Sequence, residues 1–400
     1  MKTSEFIVRR ILLLIPVMVG VTIFTFFISQ VIPANPAALL CGERCGLVDP
    51  VTGKTLLQLQ TERLGLDKPR VEQFQIYITN LLDGDWGDSI FYHIPTSEVI
   101  RNAAPITLEM AFLALFIGYS IGITLGILSA VWQDQVFDHI SRFLAILFVS
   151  LPIFWFAMML QYFFATGTDV GGICDDLTGI LPLIPDTEGG CLPIYGRHDS
   201  ALTYPDRASA LCDTVVSGIA CYPSWYPSGG TGFHLLDSWF VTDEALDWVH
   251  PEYASNWLLF KDTLSHLILP SLTLGVASTG SILRYMRASL LEVMNEDYVR
   301  TARAKGLSES RVILVHACRN ALVPILTILG FSIGGAIGGA VLTETIFAFR
   351  GMGKVAVDSI INIDYSVLMG VTLVTAVIFL LSNLIVDILY GVVDPRVRLE

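Results

Sequence analysis

Six predominantly apolar stretches of this chain run free of Asp, Glu, Lys and Arg for long enough to cross a lipid bilayer, and no other feature limits the fold so strongly. They cover residues 11–42, 110–133, 143–168, 263–283, 320–343 and 365–386. Each can supply the roughly 20 apolar residues that a helix needs to traverse the hydrocarbon core. Lipid offers no partner to a free backbone amide or carbonyl, so each stretch is predicted to be helical. Only 15% of the 400 residues are charged, against about 25% in an ordinary soluble chain. The predicted class is an all-α, polytopic membrane protein with six transmembrane helices and an extracytoplasmic, loop-rich insertion.

One long polar interval interrupts this pattern, 284–324, RYMRASLLEVMNEDYVRTARAKGLSESRVILVHACRNALVP. Arg284, Arg287, Arg300, Arg303, Lys305, Arg311 and Arg319 outnumber Glu292, Glu296, Asp297 and Glu309. Basic residues favour the cytoplasmic side of short loops. The interval therefore reads as a cytoplasmic helical hairpin on the membrane surface, broken at Gly306. Lys2, Arg9 and Arg10 at one end, the short loop near Arg142, and Arg396 and Arg398 at the other end fit the same orientation. Both termini are expected in the cytoplasm of a cell whose inner, or plasma, membrane holds the chain. A cleaved signal peptide over 1–32 does not fit, because the apolar run is too long and lacks a small-residue cleavage site.

In chain order the expected segments are as follows. Residues 1–32 form the cytoplasmic N-terminus and first span, and 33–104 an outer segment. Residues 105–168 carry the second and third spans, and 169–262 an acidic outer insertion. The fourth span is 263–286, the cytoplasmic loop 287–321, the last two spans 322–391, and the tail 392–400. In the outer segment Val71, Phe74, Ile78 and Leu81 recur at helical spacing, which predicts an amphipathic helix that Asp83-Gly84-Asp85 breaks.

The insertion holds fourteen acids against Arg197, Arg207 and Lys261, so much of the formal charge of −13 faces outward. That charge argues against a nucleic-acid partner, and a solvated acidic face is the plainest reading. Six of the seven cysteines, Cys41, Cys45, Cys174, Cys191, Cys212 and Cys221, fall in the two outer segments, with Cys318 placed inside. An even number on the oxidising side suggests disulfides. Neighbour pairing, Cys41–Cys45, Cys174–Cys191 and Cys212–Cys221, is the expected arrangement, while four cysteines alone already allow three connectivities. The spacing of Cys41 and Cys45 finds no matching ligands elsewhere, so no metal is expected.

Neither phosphate-loop fragment survives inspection. Gly53-Lys54-Thr55 has Val48 where the motif needs glycine, and Gly351-Met352-Gly353-Lys354 is followed by Val355, which has no hydroxyl for magnesium. In the fifth span Gly330, Gly334 and Gly338 repeat at spacing four, as do Gly335 and Gly339. Small residues on one face let helix backbones approach closely, and such a face can also line a seam that opens during transport.

In the hairpin Ala302 and Gly306 share a helical face, Gly306 suits the left-handed residue that closes a helix, and Ser308 can cap the next one. A small-residue face ending at a sharp turn can enter a groove on a rigid partner; a surface helix lying on anionic lipid is the plainer alternative.

The hairpin sequence EDYVRTARAKGLSESRVILVHACRNALVPIL resembles the cytoplasmic loop of ABC importer permeases, in particular the dipeptide/oligopeptide/nickel group. Four more segments look like that group in the same order. They are FIVRRILLLIPVMVGVTIFTFFISQVIPANPA, LGLDKPRVEQFQIYITNLLDGDWGDSI, APITLEMAFLALFIGYSIGITLGILSA and LTETIFAFRGMGKVAVDSIINIDYSVLMG. The resemblance covers most of the chain except about 169–252, an insertion longer than the group leads one to expect.

It implies a type I importer permease fold. It also implies that Glu296, Asp297, Tyr298, Thr301, Ala302, Arg303, Ala304, Lys305, Gly306 and Leu307 belong to a coupling helix seated in a groove of an ATPase. The implied partners are a second homologous permease, two ATPase subunits or domains, an extracytoplasmic substrate-binding protein and membrane lipid. ATP and magnesium would be bound by the ATPases, and this chain would carry no cofactor and no catalytic residue.

Two rival classes fit less well. A stand-alone secondary transporter or channel wants ionisable groups in mid-membrane or inverted repeats with broken helices. Glu109, Glu344 and Asp387 instead fall at span ends, where they read as interfacial or structural. An intramembrane enzyme wants a paired set inside a span, and His266 and Glu109 have no evident partners.

Overall fold

The structure, a computed structural model, describes residues 3–31, 36–41, 45–49, 52–63, 65–164 and 256–393. Among these residues the regular structure is helical, with no strand and two isolated bridges, Val48 with Thr55 and Asp88 with Pro95. The helices are α1 (Thr3–Val31), α2 (Pro36–Cys41), α3 (Leu56–Arg63), α4 (Arg70–Leu82), α5 (Thr96–Val131), α6 (Val136–Ser150) and α7 (Ile153–Phe164). After the acidic insertion come α8 (Asn256–Val293), α9 (Asp297–Ala304), α10 over 309–321, α11 (Val323–Ile346), α12 (Met352–Ile361) and α13 (Tyr365–Val393). The insertion up to residue 255, with Cys174, Cys191, Cys212 and Cys221, lies outside the described residues, as does the tail from 394.

Four helices are long and apolar enough to cross a membrane: Thr96–Val131, Thr263–Val293, Val323–Ile346 and Tyr365–Leu389. A fifth crossing is made only if α6 and α7, bent by 105° across Leu151 and Pro152, serve together. In α1 the apolar stretch Leu12–Phe27 is shorter. Among the described residues four or five of the six expected spans meet this test, and the third, expected over 143–168, is formed by the bent pair α6 and α7. Proline disfavours the α conformation in the residue before it, and Leu151 is accordingly extended, with ψ 127°.

The boundary at Arg142 is also corrected. The turn lies at 132–135, and both Asp138 and Arg142 sit inside α6. Similarly, α8 begins at Asn256, within the predicted insertion, and runs through Arg284 and Arg287 to Val293, so the hairpin proper starts only there.

The chain divides into two compact units, one of residues 1–10, 104–354 and 379–400 and the other of 11–103 and 355–378. At the centre of the first is α8, buried over 67% of its most apolar window and packed against α6, α7 and α11. The approach is close enough to need glycine. A Cβ on Gly275 would come 2.7 Å from the carbonyl oxygen of Ala114, and one on Gly280 would come 2.5 Å from that of Ala145. Opposite them, Gly118, Gly122 and Gly126 of α5 repeat at spacing four, and a Cβ on Gly118 would come 2.7 Å from the Gly275 carbonyl. This is the pattern read above for the fifth span, and it was equally visible in the sequence of the second.

In the second unit α4 forms where the apolar periodicity predicts it, ending at Asp83 with Gly84 at φ 84°. Its Phe74 and Tyr77 rings stand 5.2 and 5.9 Å from Phe26. Asp364, fully buried, accepts hydrogen bonds from Ser89 Oγ (2.5 Å) and from the Phe91 amide (3.1 Å), tying the 83–95 loop to the start of α13. Cys41 and Cys45 are joined by a disulfide.

Candidate functional site

The polar hairpin is built from its apolar base upward. Ile282, Met286 and Leu290 recur every four residues on α8 and meet Val299 and Ala302 of α9 and Val312, Ile313 and Ala317 of α10 in one buried cluster. Burial of such a face contributes roughly 25 cal/mol per Å2 removed from water, and this outweighs the weak helical preference of an eight-residue segment. Glu296 is the residue before α9, and Asp297 lies in the first turn, where negative charge suits the helix dipole. On the outward side Tyr298, Thr301, Ala304 and Lys305 are exposed.

The turn that follows needs a left-handed residue. Gly306 supplies it with φ 78°, its amide donating to the Arg303 carbonyl at 2.9 Å. A Cβ there would meet nothing within 4 Å, so conformation rather than space calls for glycine. Leu307 is half-buried against the base. Ser308 stands at the N-cap of α10, yet its side chain makes no capping bond; its carbonyl accepts from the Val312 amide at 3.0 Å instead.

Two side-chain contacts clasp the hairpin. Arg303 donates to Glu309 through Nη2 at 2.6 Å and through Nε at 3.1 Å. Hydrogen bonding to Arg303 holds the Glu309 carboxyl below the usual carboxylate range and raises the Arg303 guanidinium. At the other end Asn320 Nδ2 donates to Tyr298 Oη at 2.6 Å. Beneath them Ser289 Oγ of α8 donates to the Ala321 carbonyl at 3.0 Å. The middle of α10, Val312–Ala317, is wound as a π-helix, and Leu314 and Val315 stand exposed beside it. Burial raises the Cys318 thiol.

The structure brings together most of the residues singled out from the sequence and turns one away. Glu296, Asp297, Tyr298, Thr301, Arg303, Ala304, Lys305 and Gly306 are exposed along one connected edge. Ala302, expected beside Gly306 on an outward face, is buried in the core. Val299, three residues earlier on the same face, is the signal that pointed inward. Arg287, counted among the bases of the polar interval, is held by Asp138 at 2.7 Å.

On α11 the glycines also divide. A Cβ on Gly330 would come 2.9 Å from Asn383 Oδ1, and one on Gly334 would strike the Phe379 ring, whereas Gly335 and Gly338 face open space. Gly339 lies on the same helix.

Of the two roles read for Glu344 at its span end, interfacial or structural, its surroundings fit the structural one. It is fully buried: Oε1 accepts from Thr107 Oγ1 at 2.6 Å and Oε2 from the Lys354 amide at 2.8 Å. Among the described residues no group of three His, Cys, Asp or Glu side chains is arranged to hold a metal ion. The hairpin offers shape and leverage: a polar tip on an apolar base that continues into the central helix.

Apolar spanning helices that carry such a hairpin define a multi-pass membrane component. Residues 122–399 match the family described as binding-protein-dependent transport system inner membrane component, and residues 3–95 match the N-terminal part of such membrane components. The chain belongs to this family of transport permeases.

It is 35% identical over 394 residues to the dipeptide transport system permease protein DppB of Escherichia coli (strain K12), covering 98% of each chain. It is 36% identical over 394 residues to the di/tripeptide transport system permease protein DppB of Pseudomonas aeruginosa (strain UCBPP-PA14), again covering 98% of each. The oligopeptide transport system permease protein AppB of Bacillus subtilis (strain 168) is 31% identical over 396 residues, with 99% of each covered.

Proposed function

We propose that this chain is the permease subunit of an ATP-driven importer that moves di- or oligopeptides inward along a path shared with a second, homologous permease. An outer binding protein delivers the peptide, and two ATPase subunits or domains bind ATP and magnesium; this chain holds no cofactor and performs no catalysis. Both termini and the hairpin face the cytoplasm, in keeping with their Lys and Arg.

The carrying observation is the hairpin. Its exposed edge of Tyr298, Thr301, Ala304, Lys305 and Gly306 rests on a core shared with α8, so a pull on the tip is a pull on the central helix. The peptide class is supported by the names of relatives that align over nearly the whole chain. Glu296, Asp297, Arg303 and Leu307 shape that edge. Closure of the ATPases on ATP draws it inward and turns the cavity outward, and hydrolysis resets the cycle. Such transmission requires rigid elements with two discrete arrangements.

The test is purification in mild detergent with mass spectrometry of what accompanies the chain, followed by reconstitution. A second permease, ATPase subunits and ATP-dependent uptake of a labelled dipeptide are the expected result. A complex carrying Gly306→Trp should then hydrolyse ATP without uptake, the variant chain still inserting in the membrane. A chain that purifies alone and transports without ATP would overturn the reading.

A further inference from the structure

We infer that Asp138 and Arg287 are positioning residues that lock the turn between α5 and α6 to the tail of α8, so that turn, tail and hairpin move as one body; the inference rests on the functional reading above. Asp138, on the first turn of α6, is fully buried, and four donors converge on its carboxylate. Arg287 reaches it through Nε at 2.7 Å and Nη2 at 2.8 Å, Ser129 Oγ at 2.6 Å and the Asp134 amide at 3.0 Å. Arg142, one turn further along α6 and bonded to His139, adds a cation at 3.4 Å. Asp134 itself is left-handed, with φ 61°, a conformation that a non-glycine residue holds only when its surroundings enforce it. One carboxylate therefore fixes the turn and joins it to α8.

The place of the contact gives it a mechanical meaning. Met286 and Leu290, the residue before Arg287 and the one three after it, lie in the buried cluster beneath the hairpin. The tail of α8 is thus held on two sides, by apolar packing towards α9 and α10 and by a charged, bidentate contact towards α6. Stability alone is a poor reason for such a pair, because well-packed apolar residues of similar volume often stabilise a protein as well or better. Geometry is the better reason. Separating the partners strands a buried carboxylate and a half-buried guanidinium, so a displacement of α8 that leaves α6 behind is excluded, whereas an apolar contact would let the helices slide.

The test uses the complete importer in liposomes and reads uptake of labelled dialanine per ATP hydrolysed. The double variant Asp138→Leu/Arg287→Met keeps the packing and removes both charges. It is expected to assemble and to lose about fivefold or more of its uptake per ATP, the low end of a typical coupling between sites. A purely structural role would lower the amount of complex but leave that ratio unchanged, and an unchanged ratio overturns the proposal.

A second measurement does not depend on the variant folding. Spin labels at the exposed positions Val136 and Tyr285 report the distance between α6 and α8 in the otherwise unaltered complex. It should change by no more than about 2 Å between nucleotide-free and ATP-trapped states, the scale of small helix shifts; a larger change overturns the proposal. Absence of ATP-driven dialanine uptake in the unaltered complex would instead sink the functional reading, and this inference with it.

Discussion

Two turns in the first unit redirect the chain between helices, and each relies on a glycine for a different reason. Gly306 lies at an exposed tip, where a side chain would have room and only the backbone conformation is demanding. Gly351 lies in a buried turn, is not left-handed, and has no room: a Cβ there would run into the Glu344 carboxylate and the Thr107 hydroxyl. Around the first turn the polar contact is an exposed ion pair, Arg303 with Glu309. Around the second, Thr107 Oγ1 donates to Glu344 and accepts from the Met352 amide at 2.7 Å, so one hydroxyl and one carboxylate satisfy the first amides of α12. Water can replace a lost partner at the first turn but not at the second. The hairpin tip is therefore free to be shaped by what it touches, while the buried turn is constrained by its own chain.

The largest expected effect comes from closing the buried space. Gly351→Ala should cost about 2–3 kcal/mol, the upper part of the range for overpacking, because the carboxylate must leave its donors or the turn must open. Thermal unfolding of the purified chain in detergent checks this, and an unchanged midpoint would show that Glu344 does not occupy that space. Thr107→Val should follow at about 2 kcal/mol, since two buried partners lose their hydrogen bond at once. Thr107→Ser, which keeps the hydroxyl, should cost less than about 1 kcal/mol. If the serine variant were as damaged as the valine variant, the methyl group rather than the hydrogen bonds would be holding the site.

What the sequence disclosed about these turns follows from how local each cause is. The left-handed residue at Gly306 was readable because only its immediate neighbours decide it, and the same holds for the break after α4 at Gly84. Apolar runs without charge located α5, α8, α11 and α13, because lipid imposes that composition on any helix that crosses it. The rule failed at α6, whose Asp138 is buried by an arginine 149 residues later, and it left Glu344 open between an interfacial and a structural role, because its partner Thr107 lies 237 residues earlier. A carboxylate with a distant partner looks the same in sequence as one facing water. Ala302 failed differently: a small residue fits an outer groove and an inner core equally well, and only its register with Val299 separates the two. The hairpin was thus legible as a polar element with a defined turn, and its inward face was not.

Gly306→Ala sharpens the comparison from the exposed side. A methyl group in the left-handed conformation costs about 1 kcal/mol, with no clash added. The unfolding midpoint should fall by less than in Gly351→Ala. A loss equal to that of Gly351→Ala would mean that the tip is packed against something after all and that the contrast between the two turns is false.

The smallest effect belongs to the ion pair across the exposed turn. Arg303 and Glu309 keep 37% and 56% of their side-chain surface in water, so screening limits the pair to about 0.5 kcal/mol. Its pH dependence has a definite sign. Hydrogen bonding to Arg303 depresses the Glu309 carboxyl in the folded state. The stabilisation is therefore complete above the ordinary carboxylate range near 4.3 and is lost as pH falls through the depressed folded value. The difference in unfolding midpoint between the unaltered chain and Glu309→Gln should be constant at neutral pH, close under acid conditions, and shrink in high salt. A difference that survives both acid and salt would trace to packing of the Glu309 side chain, and the exposed turn would then resemble the buried one more closely than its open surroundings suggest.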